Sequence, residues 1–326
     1  MLIACEEEKA IIAVDYPALM EIPEGFPPID APDDNEFSQA RWELGKALFY
    51  DPILSRDSTI SCASCHHAQL AFSDNTATTA GIENRAGVRN VLPLFNLAYH
   101  PYFLREGSLP TLEMQVIVPI QEHNEFDFNM VLLVDKLNES LTYKAASLAA
   151  YDRQPDAFVV TRSIACFERS LLSGDSKYDK VTSGNNGLEF TDEESRGQDL
   201  FFSETTNCSQ CHNGFNFTDY SFQNNGLYEV YNDDGRYRHT LIESDRALFK
   251  VPSLRNLSFT APYMHDGSYS SLQEVLLHYN SGGANHPHKS PFVKPLNLSQ
   301  QELDDLMAFL LTLSDSTYIS NPLFIK

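Results

Sequence analysis

Two Cys-x-x-Cys-His sequences constrain this chain more than anything else in it. They are Cys62-Ala63-Ser64-Cys65-His66 and Cys208-Ser209-Gln210-Cys211-His212. Two thiols at this spacing reach the two vinyl groups of one porphyrin and form thioethers, and the next residue, His, then lies under the iron as a proximal imidazole. A lone Cys-x-x-Cys also suits a zinc knuckle or a redox pair, and zinc would take four ligands from Cys and His. Here both pairs end in His at the same offset, which selects two covalently bound haem c groups. Attachment of that kind takes place outside the cytoplasm. The chain is therefore expected to be exported, in the periplasm or attached to the outer membrane.

The other two of the six cysteines are Cys5 and Cys166. Cys166 falls within an apolar helical pattern and reads as a small core residue. A disulfide between the two has no support in the sequence. Leu2-Ile3-Ala4-Cys5 looks like the end of a bacterial lipoprotein signal, which makes Cys5 an expected lipid anchor, although the charged and apolar regions of a complete signal are missing before it. The net charge of −22 argues against a nucleic-acid partner, because such binders carry a basic footprint. It suits a solvated surface or a face that attracts a basic partner.

The pattern along the chain is mainly α. Residues 1–36, acidic and rich in proline, read as a tether or arm. A helix is expected from about Ser38 to Tyr50, with Trp42 as an ordinary packing residue, and the first haem sequence follows a turn at Asp51-Pro52. Residues 53–110 show little periodicity, as expected of chain wrapped around a cofactor. Apolar helical stretches are expected near 111–120, 128–152 and 155–172. Thr191-Asp192-Glu193-Glu194 opens a helix that leads to the second haem sequence. Capping boxes start two further helices, at Ser271-Leu272-Gln273-Glu274 and Ser299-Gln300-Gln301-Glu302. In the first of these, Leu272, Val275, Leu276 and Tyr279 form the expected buried stripe. No long residue-level repeat is visible, yet the layout of helix, haem sequence, loop and helices occurs twice. The reading is two cytochrome c-like haem domains with long loops around the cofactors, over residues 37–180 and 181–326.

Several further blocks carry a resemblance. They are Leu44-Gly45-Lys46-Ala47-Leu48-Phe49-Tyr50-Asp51-Pro52, Val88-Arg89-Asn90, Leu112-Glu113-Met114-Gln115 and Val118-Pro119-Ile120. After the second haem sequence come Val251-Pro252-Ser253-Leu254-Arg255-Asn256 and Thr260-Ala261-Pro262-Tyr263-Met264-His265-Asp266-Gly267. In order and spacing the chain resembles the bacterial di-haem cytochrome c peroxidase family, including its MauG-like branch, from about residue 37 to 315. The resemblance implies that the N-terminal haem, with His66 as proximal ligand, meets peroxide, and that the C-terminal haem, on His212, relays electrons. It places the distal residues at Gln115, Pro119 and Glu125. A carboxyl near the iron suits the chemistry, because it can take a proton from one peroxide oxygen and return it to the other. The resemblance also implies a calcium ion between the haems, with Asn90, Thr260 and Pro262 as oxygen ligands.

The chain departs from the family pattern at three places. Most members carry a removable His ligand eight residues before the asparagine of Arg-Asn; here that position is Ile82. The first haem should then stand open without prior reduction, with His67 and His100 as bystanders. Where most members place a Met ligand, this chain has Tyr279, as in the MauG-like branch. A phenolate favours oxidised iron. Met264 and His278 are rival ligands, and His278 should point elsewhere because it is one helical position away. The family's Trp between the haems aligns with Arg105, which leaves Tyr102 or Phe103 as an electron route. Two activities follow from the resemblance. One is peroxide reduction with electrons from a small cytochrome or similar donor. The other uses peroxide-derived oxidising power to oxidise side chains of a partner protein. A pure electron carrier fits poorly with the open position that Ile82 implies.

Overall fold

The computed structural model describes residues 19–184 and 187–326. Cys5, with any lipid on it or disulfide from it, lies outside them. Helix α1 spans Gln39–Phe49. Its N-cap is Ser38, whose side chain accepts from the Arg41 amide, and Tyr50 ends it before Asp51-Pro52. Then follow α2 (Leu112–Gln115), α3 (Ile117–Gln121), α4 (Met130–Glu139), α5 (Leu141–Tyr151), α6 (Ala157–Arg169) and α7 (Lys177–Thr182). The second half holds α8 (Asp192–Phe201), α9 (Tyr237–Thr240), α10 (Leu272–Ser281), α11 (Gln300–Leu311) and α12 (Ser316–Ile319), with β1 (Phe222–Gln223) antiparallel to β2 (Phe249–Lys250). Residues 53–110 contain short 3-10 turns and isolated β-bridges but no longer helix or strand. The expected 128–152 helix breaks at Ser140, whose side chain caps α5 by accepting from the Tyr143 amide. Both expected capping boxes form, at Ser271/Glu274 and Ser299/Glu302.

The chain crosses two helix pairs in the same way. In the first, Gly45 of α1 meets Ser163 and Phe167 of α6; an added Cβ would stand 1.9 Å from the Ser163 carbonyl oxygen. In the second, Gly197 of α8 meets Asp305 and Phe309 of α11, again with 1.9 Å to a carbonyl oxygen. Only glycine allows backbones this close. Four residues after each glycine stands a buried phenylalanine, Phe49 or Phe201. Each packs with its ring centroid 5.2 Å from Phe167 or Phe309. Burying one such ring is worth about 1.5–3 kcal/mol, so these pairs anchor the two hydrophobic clusters. Trp42 and Cys166 are buried in the first cluster, and the Trp42 indole donates to Ser170 Oγ at 2.7 Å.

The repetition continues through the loops at residue level. Asn96 and Asn256 both adopt left-handed backbone, and their amides donate to Leu171 O and Leu313 O at the ends of the paired helices. Their side chains accept from the amides of Ser173 and Asp315, which are themselves hydrogen-bonded to one another. Leu94-Phe95-Asn96-Leu97 and Leu254-Arg255-Asn256-Leu257 are thus copies, a repeat the sequence reading did not find. The C-terminal segment crosses back: Tyr318 and Phe324 pack into the first cluster. The acidic arm packs against the rest of the chain from Leu19, which is buried in the first cluster, to Asn35. Phe26 stacks edge-on against Tyr99 and Phe215, and Gly174 leaves room for Pro23.

Candidate functional site: two haem attachment sites

Each Cys-x-x-Cys-His forms a tight 3-10 turn, Cys62–Ser64 and Cys208–Gln210, which folds its two cysteines and its His close together in the chain. The His66 amide donates to Cys62 O at 2.9 Å, and the His212 amide to Cys208 O at 3.0 Å. His66 Nδ1 lies 2.7 Å from Phe72 O. His212 Nδ1 lies 3.2 Å from Phe217 O and 3.1 Å from Pro252 O. Burial keeps both rings neutral, and His66 is pushed down to about 4. A neutral imidazole that donates from Nδ1 offers its Nε2 lone pair to a metal. Phe72 and Phe217, whose carbonyls orient the rings, both have positive φ and are fully buried. Free thiols in pairs, each with an oriented imidazole, fit a c-type haem at both sites.

The distal candidates of the first site share one structural unit. Thr111 caps α2, and the chain runs through Val116 into α3, so Gln115 and Pro119 lie on successive turns. Glu113 ties this unit to α6 through a buried ion pair with Arg169 at 2.7 Å. Burial alone would raise the Glu113 carboxyl, but Arg169 and Asn35 hold it below the usual range. After Gln121 the chain turns back over α3. Glu122 N donates to Val118 O, Glu125 N to Glu122 O, and Phe126 N to Pro119 O. The turn brings Glu125 to the first attachment sequence. Burial first, then the Glu125 charge, pushes the Cys65 thiol up to about 12. Glu125 is open to solvent by surface area, yet protein crowds its carboxyl. That crowding, with the like charge of Glu122, pushes it up to about 7.

Ile82 is fully buried, and its amide donates to Glu125 O at 3.0 Å. Ion pairs of Arg56 and Arg85 with Asp127 and Glu83 pin the two loops together. His67 turns to Asp74 at 3.8 Å, and His100 Nδ1 faces Lys250 Nζ at 3.4 Å. Glu168, which the sequence reading passed over, is buried near Cys62. Burial pushes it up to about 8, and its Oε2 has no hydrogen-bond partner.

At the second site Tyr279 lies within electrostatic reach of Cys208 and Cys211. Burial pushes its hydroxyl up to about 12, against a hydrogen bond with the Asn225 side chain. The stripe with Val275 and Leu276 is half-buried rather than sealed; Leu272 and His278 are the fully buried residues of α10. His278 Nε2 lies 3.0 Å from Asn225 O and its Nδ1 3.3 Å from Tyr269 OH, so both ring nitrogens are engaged away from the site. Met264 Sδ accepts from Asn225 Nδ2 at 3.2 Å. Asn225 is a residue the sequence reading missed, because it is far from Tyr279 in the chain. Tyr279 lies eight residues beyond the N-cap Ser271, and Pro119 lies eight residues beyond the N-cap Thr111. The repeat therefore gives the two residues equivalent places.

The expected calcium ligands meet a different partner. Asn90 Oδ1 already accepts from Arg105 Nη2 at 3.2 Å, and the Asn90 carbonyl accepts from the same nitrogen at 2.9 Å. The Asn90 amide group points at Thr76 O and Ala77 O. A divalent ion fits poorly at an oxygen that a guanidinium already faces, so of the expected ligands Asn90, Thr260 and Pro262, Asn90 does not offer a free oxygen.

Comparison with known proteins agrees with this geometry. Residues 39–187 match the family model for di-haem cytochrome c peroxidase, and residues 194–314 match that for cytochrome c. The chain is 37% identical to the methylamine utilization protein MauG of Methylorubrum extorquens over 286 residues, 86% of this chain and 80% of that one. It is 31% identical to the cytochrome-c peroxidase IdrP1 of a Pseudomonas species, covering 89% of this chain and 85% of that one. A crystal structure of a MauG-like protein associated with microbial copper homeostasis superposes with a TM-score of 0.87 at 32% identity, over 93% of this chain and 97% of that one. The chain belongs to the di-haem cytochrome c peroxidase family and is an oxidoreductase with two c-type haem sites.

Proposed function

We propose that the chain reduces hydrogen peroxide at the site of Cys62, Cys65 and His66, and draws electrons through the site of Cys208, Cys211 and His212 from a small cytochrome or similar donor. The observation that carries this reading is Glu125, a carboxyl with acidity near neutrality at the first attachment sequence. The haem there, when bound, supplies the iron at which peroxide accepts two electrons. Glu125 takes the proton from one peroxide oxygen and delivers it to the other, which leaves as water. Two electrons from the donor and two protons from solvent then turn the remaining oxygen into the second water, so that one peroxide gives two waters. In this reading Gln115 and Pro119, on the successive helices α2 and α3, flank the approach, and Pro119 carries no side-chain base that could compete for the proton. Ile82 offers no ligand atom, so peroxide has direct access. The working units are residues 37–180 and 181–326, with 1–36 as an arm, in an exported protein. Covalent haem attachment supports that location.

Tyr279 favours a second reading, in which the oxidising equivalents pass to side chains of a partner protein. A phenol beside Cys208 and Cys211 would stabilise oxidised iron at the second site. Two measurements test these readings. Peroxide-dependent oxidation of a reduced small cytochrome c by the holoprotein is expected under the first. Rapid peroxide consumption without turnover of any small donor would move the assignment to the second. Electron paramagnetic resonance of the resting protein should show one high-spin and one low-spin ferric haem, with the low-spin signal altered in Tyr279→Phe. An unchanged signal would make Tyr279 a core residue.

A further inference from the structure

The seam between the two halves has its own fixed cation. Arg105 and His265 occupy equivalent turns of the repeat. One is closed by the Phe103–Leu109 bridge with Leu104 and Gly107 at positive φ, the other by Tyr263–Tyr269 with Met264 and Gly267 at positive φ. Asn90 sits between them. Its backbone amide donates to His265 O at 2.9 Å, while its carbonyl and side-chain oxygens accept from Arg105. Asn90 is thus the point where the two copies of the turn are joined. Arg105 O in turn accepts from Lys250 N at 2.7 Å, which ties the turn to β2.

We infer that Arg105 takes the place of a divalent ion at this seam, so that the chain holds its two halves together without calcium. A calcium ion bound to Asn90 Oδ1 at about 2.3–2.6 Å would lie within about 5.8 Å of the Arg105 nitrogen, given the 3.2 Å hydrogen bond to that oxygen. The surroundings add to the mismatch. Lys250 and Arg89 bring further positive charge close to Arg105. The acids nearby are already committed: Glu106 and Asp233 pair with Arg89, and Asp266 accepts from Tyr228 OH. A side-chain cation also differs from a bound ion in kind, because it cannot be lost to dilution or to a chelator.

The test begins with the holoprotein as purified. Elemental analysis after passage through calcium-containing buffer should find no calcium above the buffer blank. Its thermal midpoint should be the same in EGTA as in calcium chloride, since a ligand bound only by the folded state would raise it. One calcium per chain, or a midpoint that rises with calcium, overturns the inference. Arg105→Gln should lower the midpoint by several degrees, and Arg105→Lys by less. If Arg105→Gln melts with the parent protein, the guanidinium does not hold the seam and the inference fails. If Arg105→Gln does not fold, the metal content and calcium response of the parent protein decide alone.

Discussion

Replacing Glu125 by Gln tests the chemistry with little change of shape. The backbone at this position is fixed from both sides, by Glu125 N to Glu122 O and by Ile82 N to Glu125 O, each at 3.0 Å. Gln keeps the length of the side chain and cannot carry a proton between peroxide oxygens. Positioned acid–base groups contribute about 10²–10⁴-fold, or about 3–5 kcal/mol of barrier at about 1.4 kcal/mol per tenfold. The peroxide step of Glu125→Gln, followed by stopped-flow absorbance, should slow by that factor with both haems retained. The pH profile gives an independent check. With an acidity near 7, the parent carboxyl is about half ionised at neutrality and about 1% ionised two pH units lower. Its rate should rise about tenfold per unit up to about pH 7 and then level, and the variant profile should be flat. Stability should move the opposite way. The folded-state value lies above the unfolded one, so this group costs stability as pH rises from about 4.5 to about 7. The variant should therefore be no less stable than the parent at pH 8. Rates within a few-fold of the parent, with the same pH profile, would refute the role given to Glu125.

Two further predictions rest on particular contacts. Gly45→Ala and Gly197→Ala each drive a Cβ to 1.9 Å from a carbonyl oxygen; the overpacking cost of about 1–3 kcal/mol should exceed the helix-propensity gain of about 1 kcal/mol, and calorimetry showing no loss of midpoint in either would contradict the crossing geometry. Ile82→His should convert the resting first haem toward low spin and slow the reaction of the oxidised protein with peroxide; an unchanged resting absorbance spectrum would show that position 82 does not reach the iron.

What the sequence disclosed follows the range of the interactions involved. Ser271/Glu274 and Ser299/Glu302 were legible because a capping box closes over four residues, and both form. The attachment motifs were legible for the same reason. The break at Ser140 was not, since an apolar pattern runs across it and only the hydroxyl's bond to the Tyr143 amide decides. The register of Tyr279 could be counted along one helix, but its partner Asn225 comes from a distant loop. The repeat of Asn96 and Asn256 was hidden by unequal insertions between its parts. Arg105 was read as a missing aromatic, and its bond to Asn90, which displaces the expected calcium, exists only once the loops are folded together.

The repeat also shows how one fold yields two different sites. The pair α2–α3, which begins after Thr111, and the single helix α10, which begins after Ser271, span the same length, to Gln121 and Ser281. They differ in how they stop. In the second, Gly282 adopts left-handed backbone, its amide and that of Gly283 return to Tyr279 O and His278 O, and the chain leaves toward Gly226 through the Ala284 amide. In the first, Glu122 keeps extended backbone, and the amides of Phe126 and Phe128 return to Pro119 O and Ile120 O. The chain therefore folds back across its own helix and brings Glu125 within electrostatic reach of Cys65. Pro119, in the place of Tyr279, supplies no ligand atom there. One helix ending leaves a phenol within electrostatic reach of the cysteines; the other has proline in that place and adds an acid. Under the proposed function, the residue after the helix, glycine or glutamate, separates a site that holds oxidised iron from a site that moves a proton on peroxide.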